Sequence, residues 1–216
     1  MTEQNFELMR RAMVSNQLRT TAVNDPRIVA AITAVPRERF VPAERREVAY
    51  TDTLVPLGGG RALNTPMATG RLLTEAAPTR SDRVLLIGAA TGYAAALLSQ
   101  LAGSVIALDE REDLLATARA QVTADNVTFV SGPLAAGWAA GAPYSLVLID
   151  GAVEQIPAEV IAQLGPDGRL AAAITDRGVI RLAIGRKAGD GFGTVNFADA
   201  EAAPLPGFAE PAGFVF

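Results

Sequence analysis

The sequence predicts an α/β fold built around a largely parallel sheet, and two observations carry that prediction. From residue 83 onward, short apolar runs alternate with segments of helical periodicity, which is the pattern of β-α-β units. The chain of 216 residues is 50% hydrophobic and 19% charged, so it is long and apolar enough to bury one core. We therefore expect one compact domain, with an N-terminal helical and loop region over residues 1–80 and the sheet-containing core over residues 81–216.

The first 80 residues are expected to be mainly helical, with an irregular segment between the helices. Apolar residues recur at roughly helical spacing within 6–18, which predicts an amphipathic helix. Asp25 before Pro26 predicts the N-cap and first position of a second helix, which ends before the next proline. Four prolines and three consecutive glycines over 35–66 predict loops and short strands that form a lid or arm. A third helix is expected over 66–77.

Seven strands are expected in the core, separated in its first part by helices. The predicted strands span residues 84–88, 105–109, 127–130, 146–150, 169–174, 179–186 and 194–198. The predicted helices span residues 93–101, 111–122 and 157–164. The chain from Ala203 onward is rich in proline and glycine, and we expect it to be an exposed tail.

The composition excludes several classes of chemistry. Neither cysteine nor histidine is present, so disulfides, thiolate and imidazole catalysis and most transition-metal sites are excluded, and no metal is expected. The formal net charge of -4 argues against a nucleic-acid partner. Residues 84–108 carry no formal charge over a length that could span a membrane, but their glycines and polar residues predict strand, turn, helix and strand. The N-terminus lacks the profile of a secretory signal, so a cytoplasmic location is expected.

The end of the first core strand carries a turn that suits a bound ligand. Small side chains there let a ligand approach the backbone, next to the free N–H groups of a helix start. The residues of this turn are Gly88, Ala89, Ala90, Thr91 and Gly92. A purely structural turn in another α/β protein has the same pattern, so the segment indicates a binding site without specifying the ligand.

Acidic residues end the second and fourth core strands. Asp109 lies about 20 residues after Gly88, where a carboxylate can accept hydrogen bonds from both ribose hydroxyls of an adenosine, and Glu110 follows it. Capping of the next helix is the alternative role for Asp109. Asp150 is placed either to face a ligand or to cap a turn. NAD and S-adenosylmethionine both suit this geometry, although the absence of Gly-x-Gly-x-x-Gly argues against NAD.

Motifs along most of the chain resemble those of the protein-L-isoaspartate O-methyltransferase family. Val-Pro-Arg-Glu-Arg-Phe-Val-Pro over residues 35–42 matches an N-terminal signature, and Ala-Tyr-Thr-Asp over 49–52 continues it. The loop that covers the peptide substrate corresponds to 57–66, the cofactor loop to 84–93, and the stretch before the fifth strand to 163–170. The resemblance implies a Rossmann-like methyltransferase fold, with a mostly parallel seven-stranded sheet, helices on both faces and an N-terminal helical extension.

The resemblance also implies an activity, namely carboxyl methylation of isoaspartyl residues in damaged proteins or peptides, with S-adenosylmethionine converted to S-adenosylhomocysteine. Asn64 and Thr65 are then expected over the acceptor carboxylate. An isoaspartyl carboxylate is already ionised at pH 7, so a chain without histidine or cysteine could support its attack on the methyl group without a general base. The residues expected at the cofactor are Gly88, Ala89, Ala90, Thr91, Gly92, Asp109, Glu110 and Asp150.

Several positions depart from the pattern of that family. Asn64 stands where the family has a serine associated with activity. The cofactor loop has Leu86 and Ala90 where the family usually has an acid and a glycine, and Gly132 stands where an acid near the adenine is common. The alternative prediction is a paralogue that keeps the fold and acts as a binding or scaffold module, or that methylates another acceptor. Trp138, the only tryptophan, is expected to pack rather than to stack on adenine.

Overall fold

The N-terminal region is a layer of helices with a small hairpin, in the part of the chain that the computed structural model describes, residues 3–209. Its α-helices are α1 (Glu3–Met13), α2 (Pro26–Ala34) and α3 (Pro66–Ala76). A π-helical turn (Val14–Leu18) and a 3-10 turn (Arg19–Thr21) follow α1, so the predicted first helix changes type within its length. Two 3-10 helices (Arg37–Phe40 and Ala43–Val48) precede an antiparallel hairpin of β1 (Val55–Gly58) and β2 (Arg61–Leu63).

Local sequence signals explain where α2 and α3 begin. A proline occupies the first position of each helix, where its missing N–H group costs no hydrogen bond. The Asp25 carboxylate accepts a bond of 2.8 Å from the Arg27 N–H group, as predicted for an N-cap. The Thr65 hydroxyl accepts a bond of 3.1 Å from the Ala68 N–H group and caps α3 in the same way.

Seven strands form the central sheet of the described chain, in the order β5-β4-β3-β6-β7-β8-β9. These strands are β3 (Arg83–Ile87), β4 (Ser104–Asp109), β5 (Val127–Ser131), β6 (Tyr144–Val153), β7 (Leu164–Asp176), β8 (Val179–Ala188) and β9 (Gly191–Asp199). The strands from β3 to β7 pair in parallel, whereas β8 and β9 each run antiparallel to the strand before them. The predicted strands and the mostly parallel sheet are therefore confirmed.

Three helices connect the parallel strands: α4 (Tyr93–Leu101), α5 (Glu112–Gln121) and α6 (Ala158–Ala162). The last is shorter than predicted, because β7 begins at residue 164 and takes over the end of the expected helix. Residues 84–108 fold as strand, turn, helix and strand, as expected. Among the described residues, no helix has the length and apolar character needed to cross a membrane.

Two apolar clusters cover the two faces of the sheet. Alternate residues of β3 point to opposite faces, with Val84 and Leu86 in one cluster and Leu85 and Ile87 in the other. The first cluster also contains buried side chains of α1, α2 and α3. The N-terminal helices therefore complete one face of the core, and Leu86 is fully buried there.

The segment after β9 is packed against the core, so the prediction of an exposed tail is wrong for the residues described. Ala203, Leu205 and Phe208 are all buried. The Leu205 N–H group donates to the Ala152 carbonyl at 2.9 Å, and the Ala152 N–H group donates to the Ala203 carbonyl at 2.7 Å. Backbone bonds to β6 and apolar side chains thus order a segment whose prolines and glycines predict a loop. Residues 210–216 of the predicted tail lie outside the described range.

Candidate functional site

The carboxyl ends of β3, β4 and β6 bring the small-residue turn, Asp109 and Asp150 together. The first two N–H groups of the turn both donate to the Leu108 carbonyl at 3.0 Å, so the turn wraps around the end of β4. The next N–H group, that of Ala90, donates to Asp109 Oδ2 at 2.8 Å. These strands and this turn were predicted to converge, because ligands of open α/β sheets lie beyond the carboxyl ends of the strands.

Asp109 is completely buried, and protein groups take all of its hydrogen-bonding capacity. Arg61 forms a two-pronged ion pair with it, Nη1 to Oδ1 and Nη2 to Oδ2, each at 2.8 Å. The Ala90 N–H group adds a bond to Oδ2, and the Arg111 N–H group adds one of 3.1 Å to Oδ1. Asp109 therefore also stabilises the backbone that leads into α5, which is close to the capping role considered as its alternative.

Arg61 is a site residue that the sequence analysis missed. It lies at the start of β2, and its side chain is 3% exposed, with an Nε atom that has no hydrogen-bond partner. Arg111 holds the same hairpin from outside, because its Nη1 donates to the Gly58 carbonyl at 2.6 Å. The hairpin is therefore closed over the end of β4. Arginines in a glycine-rich loop usually face solvent, so the sequence carries no signal for this burial.

Asn64 links Asp150 to the C-terminal segment. Its Nδ2 donates to Asp150 Oδ1 at 2.7 Å, while its Oδ1 accepts from the Ala203 N–H group at 2.7 Å. Burial raises the pKa of the Asp150 carboxyl, although the Asn64 amide and the nearby charges of Arg37 and Arg61 act in the opposite direction. Asn64 and Asp150 are therefore in direct contact, and their roles toward a substrate or cofactor stay predictions.

Arg37 fixes the backbone behind Asn64. It is fully buried, with Nε donating to the Ala49 carbonyl at 2.7 Å, Nη2 donating to the Asn64 carbonyl, and its guanidinium 4.8 Å from the centre of the Tyr93 ring. Burial lowers the pKa of this guanidinium, and the proximity of Tyr93 and Asp150 counteracts the shift. The Arg of the N-terminal signature thus ties three separate parts of the chain to the site.

Most of the remaining predicted site residues have structural roles in the fold. The Thr65 hydroxyl caps α3, and the Thr91 hydroxyl donates to the Phe40 carbonyl at 2.6 Å. Gly92, at a φ of 97°, precedes α4, and Glu110 is exposed beyond the end of β4. Their roles toward a substrate or cofactor stay predictions. Acidic residues of the described chain form no group of three or more that could hold a metal ion.

At the end of β5, Gly132 lies against the ring of Trp138. A Cβ atom on Gly132 would be 3.4 Å from Cζ3 of that ring, and the half-buried tryptophan packs against the second apolar cluster. The expectation that Trp138 packs is confirmed.

Leu205 lies over the small-residue turn. A Cβ atom added to Gly88 would be only 3.0 Å from Leu205 Cδ1, and one added to Gly151 would overlap the same side chain. The leucine is 8% exposed and belongs to the second apolar cluster. The absence of side chains at these two glycines therefore makes room for a residue of the protein itself.

The arrangement as it stands does not fit S-adenosylmethionine, although the residue types suit it. Asp109 has no free acceptor position, and Leu205 covers the turn. Three of the residues expected to touch the cofactor are almost inaccessible, with exposures of 0% for Asp109, 3% for Ala90 and 7% for Asp150.

Comparisons with known proteins agree with this architecture. A family model described as protein-L-isoaspartate(D-aspartate) O-methyltransferase (PCMT) matches residues 9–200. Protein-L-isoaspartate O-methyltransferase 1 of Rhodopseudomonas palustris is 33% identical over 94% of this chain and 85% of its own length. The enzyme of Roseiflexus castenholzii is 34% identical over 94% of each chain.

A solved structure from Plasmodium falciparum, assigned to the same family and in complex with S-adenosyl-L-homocysteine, superposes with a TM-score of 0.77 at 15% identity. The match covers 91% of this chain and 97% of that one. The predicted methyltransferase fold is confirmed by this superposition, and the predicted enzyme class by the family match. The chain belongs to the protein-L-isoaspartate(D-aspartate) O-methyltransferase family.

Proposed function

We propose that this chain methylates isoaspartyl carboxylates of damaged proteins or peptides, with S-adenosylmethionine as the methyl donor. The names of its relatives support the reaction. The position of Asp109, at the carboxyl end of β4 beside the turn that ends β3, is the structural observation that carries the proposal. A carboxylate at this position can accept hydrogen bonds from both ribose hydroxyls of an adenosine once Arg61 is displaced.

The residues of the chain need only bind and orient the acceptor. An isoaspartyl carboxylate is ionised near pH 7, so no group has to remove a proton from it. The Asn64 amide, which donates to the Asp150 carboxylate here, is able to donate in the same way to an acceptor carboxylate. We propose this donation as the role of Asn64, with Thr65 placing it through the start of α3.

The proposal also covers the setting in which the enzyme acts. We propose action in the cytoplasm, without a metal ion and without a nucleic-acid partner. The absence of histidine and cysteine from the sequence supports metal-free chemistry, and the net charge of -4 disfavours a polyanion.

A second candidate is a member of the family that keeps the fold as a binding or scaffold module, or that methylates another acceptor. The saturated hydrogen bonding of Asp109 favours it, because a permanently retained Arg61 would exclude the ribose. The two candidates differ in one respect that can be measured, namely whether purified protein transfers a methyl group to an isoaspartyl peptide.

Asp109→Ala tests the proposed function. The native protein is expected to transfer label from S-adenosylmethionine to an isoaspartyl peptide, and the variant to bind S-adenosylhomocysteine at least about tenfold more weakly, because two hydrogen bonds to a charged acceptor are lost. Calorimetric titration measures the affinity, and circular dichroism checks that the variant is folded.

Glu112→Ala is the matched control. This exposed glutamate pairs with Arg119 and lies outside the predicted cofactor site, so its loss should leave the affinity within about twofold. Equal affinity of the native protein and Asp109→Ala would remove Asp109 from the site. Folded native protein that transfers no label at saturating donor would leave the binding module or the other-acceptor enzyme as the function.

A further inference from the structure

We propose that Arg61 and Leu205 are internal competitors of the cofactor, which must displace both side chains from the site in order to bind. Arg61 belongs to the β1–β2 hairpin, and Leu205 to the segment 202–208. The inference rests on the proposed function, since it concerns the site that the methyl donor would use. It assigns to these two residues the control of cofactor affinity.

Competition by Arg61 follows from the acceptor capacity of Asp109. An ionised carboxylate offers about four lone-pair positions. Two are taken by N–H groups of the local backbone, those of Ala90 and Arg111, and the other two by the guanidinium. The backbone bonds are fixed by the turn and by the start of α5. The two ribose hydroxyls can therefore reach this carboxylate only in place of Arg61.

Arg61 is bound in a way that permits exchange. Its Nε atom is buried without a partner, which leaves one donor of the guanidinium unsatisfied in the closed arrangement. Withdrawal of the hairpin would return that donor to water, while ribose hydroxyls would replace the two bonds at Asp109. The Asp109 carboxylate is fully hydrogen-bonded both with Arg61 in place and with ribose in place, so cofactor and arginine are alternatives for one position.

Leu205 blocks the other part of the site. Its side chain lies against both Gly88 and Gly151, at the ends of β3 and β6, where a ligand would approach the backbone. The segment that carries it follows residue 200, the last residue matched by the family model. Leu205 thus adds an obstacle from a part of the chain beyond the matched region.

Asn64 couples the two obstacles. It follows the hairpin directly, and its side chain bonds both to Asp150 and to the backbone of Ala203 in the C-terminal segment. Movement of the hairpin pulls on this side chain and frees the Ala203 N–H group. Opening one obstacle therefore weakens the other, and we expect the two segments to open together.

The competition predicts that loss of either side chain tightens cofactor binding. The apparent dissociation constant equals the intrinsic value divided by the open fraction, so a change that opens a mostly closed site lowers it. Arg61→Ala and Leu205→Ala are each expected to bind S-adenosylhomocysteine at least about tenfold more tightly than the native protein. Calorimetric titration of the full-length proteins measures this. Arg119→Ala, which removes an exposed ion pair with Glu112, is the control and should bind as the native protein does.

Amide hydrogen exchange supplies a readout that a merely structural role would not change. A bound ligand ordinarily slows exchange around its site. Here S-adenosylhomocysteine is expected to slow exchange in the turn 88–92 but to speed it at the N–H groups of Ala203 and Leu205, which lose their bonds to Asn64 and Ala152. Leu205→Ala keeps the Arg61–Asp109 ion pair. If Arg61→Ala does not fold, the affinity of Leu205→Ala for S-adenosylhomocysteine tests the competition.

The possible results separate this inference from the proposed function. Tighter binding by the variants, together with faster exchange at Ala203 and Leu205, supports the competition. If the native protein and both variants bind equally well and transfer methyl groups, the competition is wrong and the proposed function stands. If none of the three binds S-adenosylhomocysteine or methylates the peptide, both proposals are wrong.

Discussion

Ala90 has a backbone conformation that glycine adopts more easily. Its φ of 47° lies in the left-handed region, where a side chain costs roughly 1–3 kcal/mol. This is the position at which the resemblance to the family leads one to expect glycine. The cost is compatible with a fixed turn, because the Ala90 N–H group is bonded to the buried Asp109.

Ala90→Gly is therefore expected to increase the free energy of unfolding by up to about 1 kcal/mol, since relief of strain exceeds the greater flexibility of glycine in the unfolded chain. Urea denaturation measures the change. Ala89→Gly is the matched control, because Ala89 is also buried but has no positive φ, and this substitution should destabilise the protein. Equal destabilisation by both substitutions would show that Ala90 is not strained.

Asp150 makes stability depend on pH in a direction unusual for an aspartate. Burial raises the pKa of this carboxyl above its value of about 4 in the unfolded chain. Below pH 4 the carboxyl is protonated in both the folded and the unfolded state, so it does not change the free energy of unfolding. As the pH rises, the unfolded chain ionises first, so this residue lowers stability from about pH 4 up to its folded-state pKa.

Asp150→Asn should consequently raise the melting temperature at pH 7 relative to the native protein, and the gain should shrink at pH 4. The Asn64 amide can still donate to the new side-chain oxygen. Asp25→Asn is the control with the opposite sign, because a side-chain bond from Arg27 lowers the pKa of Asp25 and the ionised form stabilises the fold. A gain for Asp150→Asn that is the same at both pH values would contradict the raised pKa.

The strands β3, β6 and β7 are joined to the end of α3 by one ion pair, at the edge of the sheet opposite to the site. Asp82 precedes β3 and accepts bonds from Arg169 of β7, at 2.7 and 3.0 Å, and from the Ser145 hydroxyl of β6, at 2.7 Å. Arg169 also donates to carbonyls at the end of α3, those of Ala76 and Ala77. Burial opposes ionisation of Asp82, but the hydrogen bonds that the carboxylate accepts from Arg169 and Ser145 outweigh burial and hold its pKa far below its usual range.

Asp82→Asn is expected to destabilise the protein by about 2–3 kcal/mol at pH 7, less than for a fully buried pair because the Arg169 side chain stays 15% exposed. Urea denaturation measures the loss. The stabilisation is present above about pH 4 and is lost as the pH falls toward the lowered pKa, so the difference from the native protein should narrow in acid. Glu112→Gln is the control, because it affects an exposed pair with Arg119 and should leave the urea midpoint almost unchanged. A similar loss of stability in both variants would contradict the stabilising role of the Asp82–Arg169 pair.

The whole molecule combines parts from distant regions of the chain at one end of the sheet. Helices of the N-terminal region cover one face, and the apolar cluster on the other face includes Leu205 and Phe208 from the segment after β9. The hairpin of the N-terminal region and this segment meet over the carboxyl ends of β3, β4 and β6. Access to the site is therefore a property of the complete chain, and the proposed opening involves both parts of it.

Much of the fold follows from the sequence by itself. Short apolar runs that alternate with segments of helical periodicity predict the strands of the sheet. The runs are apolar because a parallel sheet buries both of its faces. Asp25 and the prolines predict the starts of α2 and α3, because capping depends on residues adjacent in the chain. The convergence of the small-residue turn with Asp109 and Asp150 also follows, since parallel strands present their carboxyl ends at the same edge.

Only the tertiary structure decided what lies against those residues. The pairing of Arg61 with Asp109 joins positions 48 residues apart, and the bond from Asn64 to Ala203 joins positions 139 residues apart. Local sequence specifies neither contact, because the partners are far apart in the chain. It does not specify the burial of Arg61 or Leu205 either, because an arginine after three glycines and a leucine between prolines are compatible with exposure as well as burial. Burial of a charged side chain depends on a partner that only the assembled fold can supply. The sequence therefore determined which residues converge at the candidate site, and the packing of the described chain determined that Arg61 and Leu205 cover them.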